Sequence, residues 1–298
     1  MLDTADRKRD KTMKKINRKR ICSIILCAAM IILSGLNVVS AQSKWSPADD
    51  GCGGIRWIGN PNGAFSLEIK EQTLAQPPSK IIINSARSGG VRIRGWERNE
   101  IWVRACVQSA GRDENEARAR TAAVRITTEN NQISAVSDLV FGEANSFGAS
   151  FDIRVPVNTD LKIATQNGGI NLFNVRGDIE FDIKNGGATL NRIAGDVRGQ
   201  TGNGSLTLNL SGERWEGGGI NIGTTNGNIL INFPENYSAR LETGNRSRRF
   251  RTNFLIEKHA SGGDRLDINL GAGGAIIKAT TTNGQISIER RANLKQRD

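Results

Sequence analysis

Two aspartates stand eleven residues after two Asn-Gly pairs. Asp178 follows Gly177 and Asp196 follows Gly195, with Glu180 and Asp182 near the first. Carboxylates repeated along a β-fold are the groups with which polysaccharide-cleaving enzymes protonate and attack a glycosidic bond, so a carbohydrate-active enzyme is one reading. Each aspartate follows a glycine at a turn, however, where Asp caps its own backbone, and this reading is the stronger. The one histidine, His259, lies in the polar string EKHASGGD and reads as a solvated loop residue, since a single imidazole cannot build a multi-histidine metal centre. The stretches GGGINIG and GAGGAIIK lack the lysine placement and the helix of a phosphate loop. No catalytic residue, metal or cofactor is expected.

Two features suit binding. Arg246, Arg248, Arg249 and Arg251 surround Phe250 in GNRSRRFRTNF, a spacing that puts positive charge on both faces of an extended segment. An anionic polysaccharide, a lipid headgroup or a cell-wall polymer could dock there through charge and guanidinium hydrogen bonds; the alternative is a solvated loop. Of the tryptophans, Trp45, Trp57, Trp96, Trp102 and Trp215, exposed ones could stack on sugars and buried ones would close the core. Trp102 falls in an apolar alternation and reads as core.

The elements that must carry these residues are strands. From about 55 to 160 the runs FSLEIK, KIIIN, GVRIRGW, EIWVRACV, AVRITT, QISAVS and FDIRVPV alternate apolar and polar residues, the period of half-buried strands. One interruption, GRDENEARARTAAV, has acids leading and arginines following, which matches the helix dipole and predicts a short helix near 113–123. From 161 a repeat takes over. Asn-Gly pairs occur at Asn167-Gly168, Asn185-Gly186, Asn203-Gly204, Asn226-Gly227 and Asn283-Gly284, each before an alternating apolar pair such as Ile170 and Leu172 or Ile286 and Ile288. The first three are 18 residues apart, then 23, and the gap of 57 before the last suggests diverged units in between. A fixed period of this size predicts an all-β solenoid of ~18-residue coils, parallel and β-helix-like, with strands ~4.8 Å apart and Asn-Gly at the corners, where left-handed dihedrals are tolerated. Asn side chains stacked from coil to coil would form a hydrogen-bonded ladder. The alternative is an antiparallel meander or sandwich, because Asn-Gly between apolar runs is also the strongest hairpin signal.

The amino terminus is read as a targeting segment. KKINRKR precedes the apolar run ICSIILCAAMIILSGL and then Val39-Ser40-Ala41, the pattern of a signal peptide over 1–41 cleaved before Gln42; an uncleaved anchor is the alternative. Of the formal charge of +11, that segment holds nine Lys/Arg against three Asp, so residues 42–298 carry +5, too little to suggest a nucleic-acid partner. Two cysteines remain, Cys52 and Cys106, and a disulfide between them is the natural expectation in an oxidising compartment.

The repeated NGxIxL and GD(I/V) phrases, behind a signal peptide and a strand-rich start with one charged helix, resemble the bacterial adhesin domain family of unknown function over roughly residues 60–290. The resemblance implies a β-solenoid and a surface or envelope protein, with no catalytic residues to carry over. The domain reading is a leader over 1–41, a strand-rich portion over 42–160, repeats over 161–290 and a polar tail over 291–298. The chain is then a non-catalytic exported protein of the periplasm, cell surface or medium that binds a polysaccharide or other envelope polymer. A carbohydrate-active solenoid enzyme and a membrane-anchored scaffold or stress-sensing accessory are the alternatives, the membrane being involved only through an uncleaved first segment.

Overall fold

The computed structural model describes residues 63–75, 77–85, 88–138, 147–255 and 264–291. The strand-rich portion contains β1 (Ala64–Leu74), β2 (Lys80–Asn84), β3 (Val91–Trp96), β4 (Ile101–Gly111), the helix α1 (Glu114–Ala122), β5 (Val124–Thr127), β6 (Gln132–Ser137) and β7 (Phe147–Pro156). The repeats supply β8 (Asp160–Asn167), β9 (Ile170–Phe173), β10 (Arg176–Asn185), β11 (Ala188–Asn191), β12 (Ala194–Asn203), β13 (Leu206–Asn209), β14 (Gly219–Asn226) and β15 (Ile229–Pro234). After them come β16 (Ala239–Asn245), β17 (Phe250–Thr252), β18 (Arg265–Leu270), β19 (Ile276–Asn283) and β20 (Ile286–Arg291).

These strands form two sheets rich in parallel pairs. The first runs β1-β4-β7-β3-β9-β11-β13-β15-β20-β17 and the second β18-β16-β19-β14-β12-β10-β8-β2-β6-β5. Every repeat gives its longer strand to the second sheet and its shorter strand to the first. The Asn-Gly pair therefore links one sheet to the other, and each strand pairs in parallel with the same strand of the next repeat. The hairpin reading of Asn-Gly is not what forms. The arrangement is solenoid-like.

Alternation fills the space between the sheets. Ile170, Ala188, Leu206, Ile229 and Ile286 stack in register and are buried, as are Leu172, Leu190, Leu208, Ile231 and Ile288. Each fully buried Ile or Leu contributes ~2 kcal/mol. Across from them Leu161, Ile179, Val197, Ile220 and Ile277 form the facing row. Phe181 is accommodated because its register partner is Gly199, where a Cβ would meet the Phe181 ring at 2.2 Å.

The corners explain the Asn-Gly repeat. Asn185, Asn203, Asn226 and Asn283 each donate a side-chain N–H to the amide oxygen of the preceding Asn, from Asn167 onward, at 2.7–2.9 Å. The glycines obey a different constraint from the left-handed dihedral expected of them. Gly186 has a φ of 152°, but Gly204, Gly227 and Gly284 have no positive φ, and a Cβ on any of these three would lie 1.9–2.0 Å from the carbonyl oxygen of the glycine one layer before. Close approach of backbones excludes a side chain here. Left-handed residues lie instead at the other corner, at Asn174 (φ 57°) and Arg192 (φ 50°). Beneath the Asn ladder, buried Thr165, Thr201, Thr224 and Thr281 donate to the carbonyls of Gly168, Gly186, Gly204 and Gly227 at 2.7–2.9 Å.

The 57-residue gap does not hold further coils of a serial stack. Strand β19 pairs directly with β14, Asn283 opposite Asn226, and β16 pairs with the other edge of β19. The chain therefore makes the β16–β17 layer first and then returns to insert β19–β20 between it and β14–β15. The amino-terminal end also departs from a serial stack, because the β2–β3 layer, first in sequence, lies between β6–β7 and β8–β9. Antiparallel strands follow outside these layers: β5 on β6, β4 and then β1 on β7, and β18 on β16.

The expected helix is α1. Asp113 caps it by accepting from the Glu116 N–H at 2.8 Å, Ala117 and Thr121 are buried, and Lys70 Nζ on β1 donates to the carbonyls of Ala122 and Val124 just past its end.

Gly204→Ala is expected to lower the unfolding free energy by ~3 kcal/mol, because backbone must move to admit the methyl group. Asn203→Ala removes two exposed amide hydrogen bonds and is expected to cost ~1–2 kcal/mol. Urea denaturation followed by circular dichroism measures both; a milder effect at Gly204 than at Asn203 would refute the close-approach explanation.

Candidate functional site

The carboxylates that could have served catalysis hold or decorate the outer face of the second sheet. Asp178 and Asp196 are register partners, as expected of stacked repeats. Asp196 Oδ1 accepts from the Gly218 N–H, and Asp160 Oδ1 accepts from the Asp178 N–H at 2.8 Å. These aspartates cap the backbone of the next layer rather than their own. Glu180 pairs with Lys162 at 3.2 Å, both half exposed, which adds little. Among the described residues no group of three His, Cys, Asp or Glu could hold a metal ion. His259 lies outside the described residues, as do Cys52, Trp45 and Trp57.

The arginine cluster lies on a built turn. Arg246 and Ser247 form the turn after β16, and Arg251 is on β17, at the edge of the first sheet. Asn245 organises it. Only 1% exposed, Asn245 donates through Nδ2 to the Arg249 carbonyl at 2.7 Å and to the Gly284 carbonyl at 3.3 Å, while its Oδ1 accepts from the Ser247 N–H at 2.9 Å. It is the register partner of Thr281, so an amide continues the row of hydroxyls that seal the other corners. The Arg248 N–H donates to the Asn245 carbonyl at 2.8 Å, and Arg248 takes a left-handed φ of 56°. The backbone is thus fixed while Arg246, Arg248, Arg249 and Arg251 are exposed, and none has a carboxylate partner among the described residues. A loosely solvated loop would lack this scaffold. The sequence pointed to the charges but not to Asn245, whose only signal is the Gly-Asn order where the repeats have Asn-Gly.

The tryptophans divide differently from expectation. Trp102 is not core. It faces outward from β4, because Ile101 and Val103 take the inward positions, and guanidinium groups of Arg104 and Arg154 lie 4.9 and 5.5 Å from its ring centre. Trp96 also faces outward, its indole N–H donating to the Glu100 carbonyl at 2.9 Å. Trp215 is buried and donates to the Gly195 carbonyl at 3.0 Å, closing the side of the stack where the repeat lengthens to 23 residues. Cys106 is buried on β4. No helix among the described residues is long and apolar enough to cross a membrane.

Asp196→Ala is expected to cost ~1 kcal/mol by removing the charge-assisted hydrogen bond from the Gly218 N–H, whereas Asp178→Ala should stay within ~0.5 kcal/mol. Thermal melts compare them, and equal losses would contradict the capping role assigned to Asp196.

No family model matches this sequence, and no curated protein does. Among solved structures the chain is similar to a candidate cell adhesion protein from Clostridium sporogenes, at 14% identity over 76% of this chain and 100% of that one, with a TM-score of 0.41. It is also similar to a candidate adhesin from Bacteroides fragilis, at 11% identity over 76% and 97% of the two chains and a TM-score of 0.31. A candidate lipid-binding protein from Parabacteroides distasonis matches at 9% identity over 77% and 98%, with a TM-score of 0.30.

Proposed function

We propose that this is an exported, non-catalytic envelope or surface protein with an adhesin-like role, which binds an extended anionic polymer through its repetitive β-surface. The observation that carries the reading is the β16–β17 turn. Four exposed guanidinium groups without carboxylate partners among the described residues stand on a backbone that Asn245 fixes in place. Preorganised arginines bind oxyanions with little further ordering, and a repeated surface meets a repeated polymer at many weak points.

Of the carboxylates that suggested glycoside hydrolysis, Asp196 accepts from the Gly218 N–H of the next layer and Glu180 pairs with Lys162, which supports the non-catalytic reading. Export rests on the basic and apolar pattern of residues 1–41. In an oxidising compartment Cys106 would pair with Cys52, tying the start of the exported chain to β4.

The purified protein is expected to bind one or more acidic glycans of a bacterial and host glycan array. Binding should weaken as salt rises, and it should fall about tenfold or more in an Arg248→Ala, Arg249→Ala double variant. Failure to bind any glycan at low salt would overturn the reading and leave a purely structural role.

A further inference from the structure

The outer face of the first sheet carries a second set of arginines at its other end, and the sequence reading left these unassigned. Arg154 on β7 and Arg94 on β3 are direct register partners on the same face. Like charges side by side on neighbouring strands cost stability. Neither arginine is paired with a carboxylate among the described residues, whereas their neighbours are: Arg104 pairs with Glu71 at 2.7 Å, Arg98 with Glu100 at 3.3 Å, and the buried Arg92 with Asp152 at 3.8 Å.

Aromatic rings hold Arg154 in place. The Arg154 guanidinium lies 5.5 Å from the Trp102 ring centre and 5.9 Å from that of Trp96, while Arg98 lies 5.0 Å from Trp96 and Arg104 4.9 Å from Trp102. A guanidinium against an indole is fixed in orientation and keeps its N–H edge available for a planar oxyanion. Arg154, Arg98, Arg104, Trp96 and Trp102 line a surface depression to which Thr73, Glu100 and Asp152 add hydroxyl and carboxylate oxygens, and Arg94 stands beside Arg154 on the neighbouring strand. Oxygens of this kind bind sugar hydroxyls.

We propose that this depression, across β1, β4, β7 and β3, binds an acidic sugar, the carboxylate- or sulfate-bearing unit of an anionic polysaccharide. Arg154 takes the oxyanion with Arg94 beside it on the next strand, Trp96 and Trp102 fix Arg154, and Thr73 and Glu100 contact hydroxyl groups. A free inorganic anion would use the arginines but not the acceptors. The site is near one end of the first sheet and the β16–β17 turn is at the other, so either can fail without the other.

The test uses the purified protein and its tryptophan fluorescence, titrated with an oligogalacturonate, a sulfated chondroitin oligosaccharide, neutral dextran and inorganic sulfate. At least one acidic oligosaccharide should give a saturable change, with dextran silent and inorganic sulfate competing only at much higher concentration. An Arg94→Gln, Arg154→Gln double variant should bind about tenfold or more weakly. The single Arg94→Gln variant should also bind more weakly, and it should melt no lower than the parent because a like-charge contact is gone. The Arg248→Ala, Arg249→Ala double variant should keep the fluorescence response. No saturable response to either acidic oligosaccharide, equal affinity for inorganic sulfate, or unchanged binding by a folded Arg94→Gln protein would overturn the proposal.

Discussion

The structure depends on how closely backbones approach at the Asn-Gly corners. At Gly204, Gly227 and Gly284 the carbonyl oxygen of the previous layer occupies the space a Cβ would need, so every layer is held at one distance from the last. The Asn amides reinforce that spacing from outside and the Thr hydroxyls from inside, leaving these corner groups hydrogen-bonded. Once the corner is fixed, the residues three and five positions after each Asn must point inward, and the core follows. The positions between them must point outward, and these are where binding groups can vary without disturbing the stack.

Both ends of the stack use one device. At the carboxyl-terminal end β19–β20 enters between two layers already made by earlier sequence, and at the other end β2–β3 lies between two layers that later sequence adds on either side of it. An inserted layer pairs on both edges, so the terminal layer cannot be lost without breaking contacts that are distant in sequence. The antiparallel strands β5 and β18 then cover edges that would otherwise offer unpaired parallel strands to another chain. Both arginine-bearing surfaces lie near these ends, where residues outside the regular repeat can be accommodated.

Much of this was legible in the sequence, and the failures have physical causes. The Asn-Gly period located the corners, the Asn ladder and the stacked rows, because each follows from a local pattern. The dihedral explanation for glycine failed because close approach is a property of two layers, which no single repeat displays. The 57-residue gap was misread for a similar reason: sequence order equals stacking order only while each layer is added outside the last. Trp102 was assigned to the core on apolarity, yet the alternation that buries Val103 and Ile101 sends Trp102 outward, where arginines cover it. The arginine turn was visible as charge. Its rigidity was not, since that comes from Asn245 taking the place of a threonine in the corner row.

The most direct measurement is the distance between spin labels placed on the exposed positions Asn221 of β14 and Lys278 of β19, which are register partners. Direct stacking predicts the strong dipolar broadening of adjacent strands, with backbones ~4.8 Å apart. A separation of several strand spacings, ~15 Å or more between backbones, would mean that other layers lie between them, and the inserted final layer would be wrong.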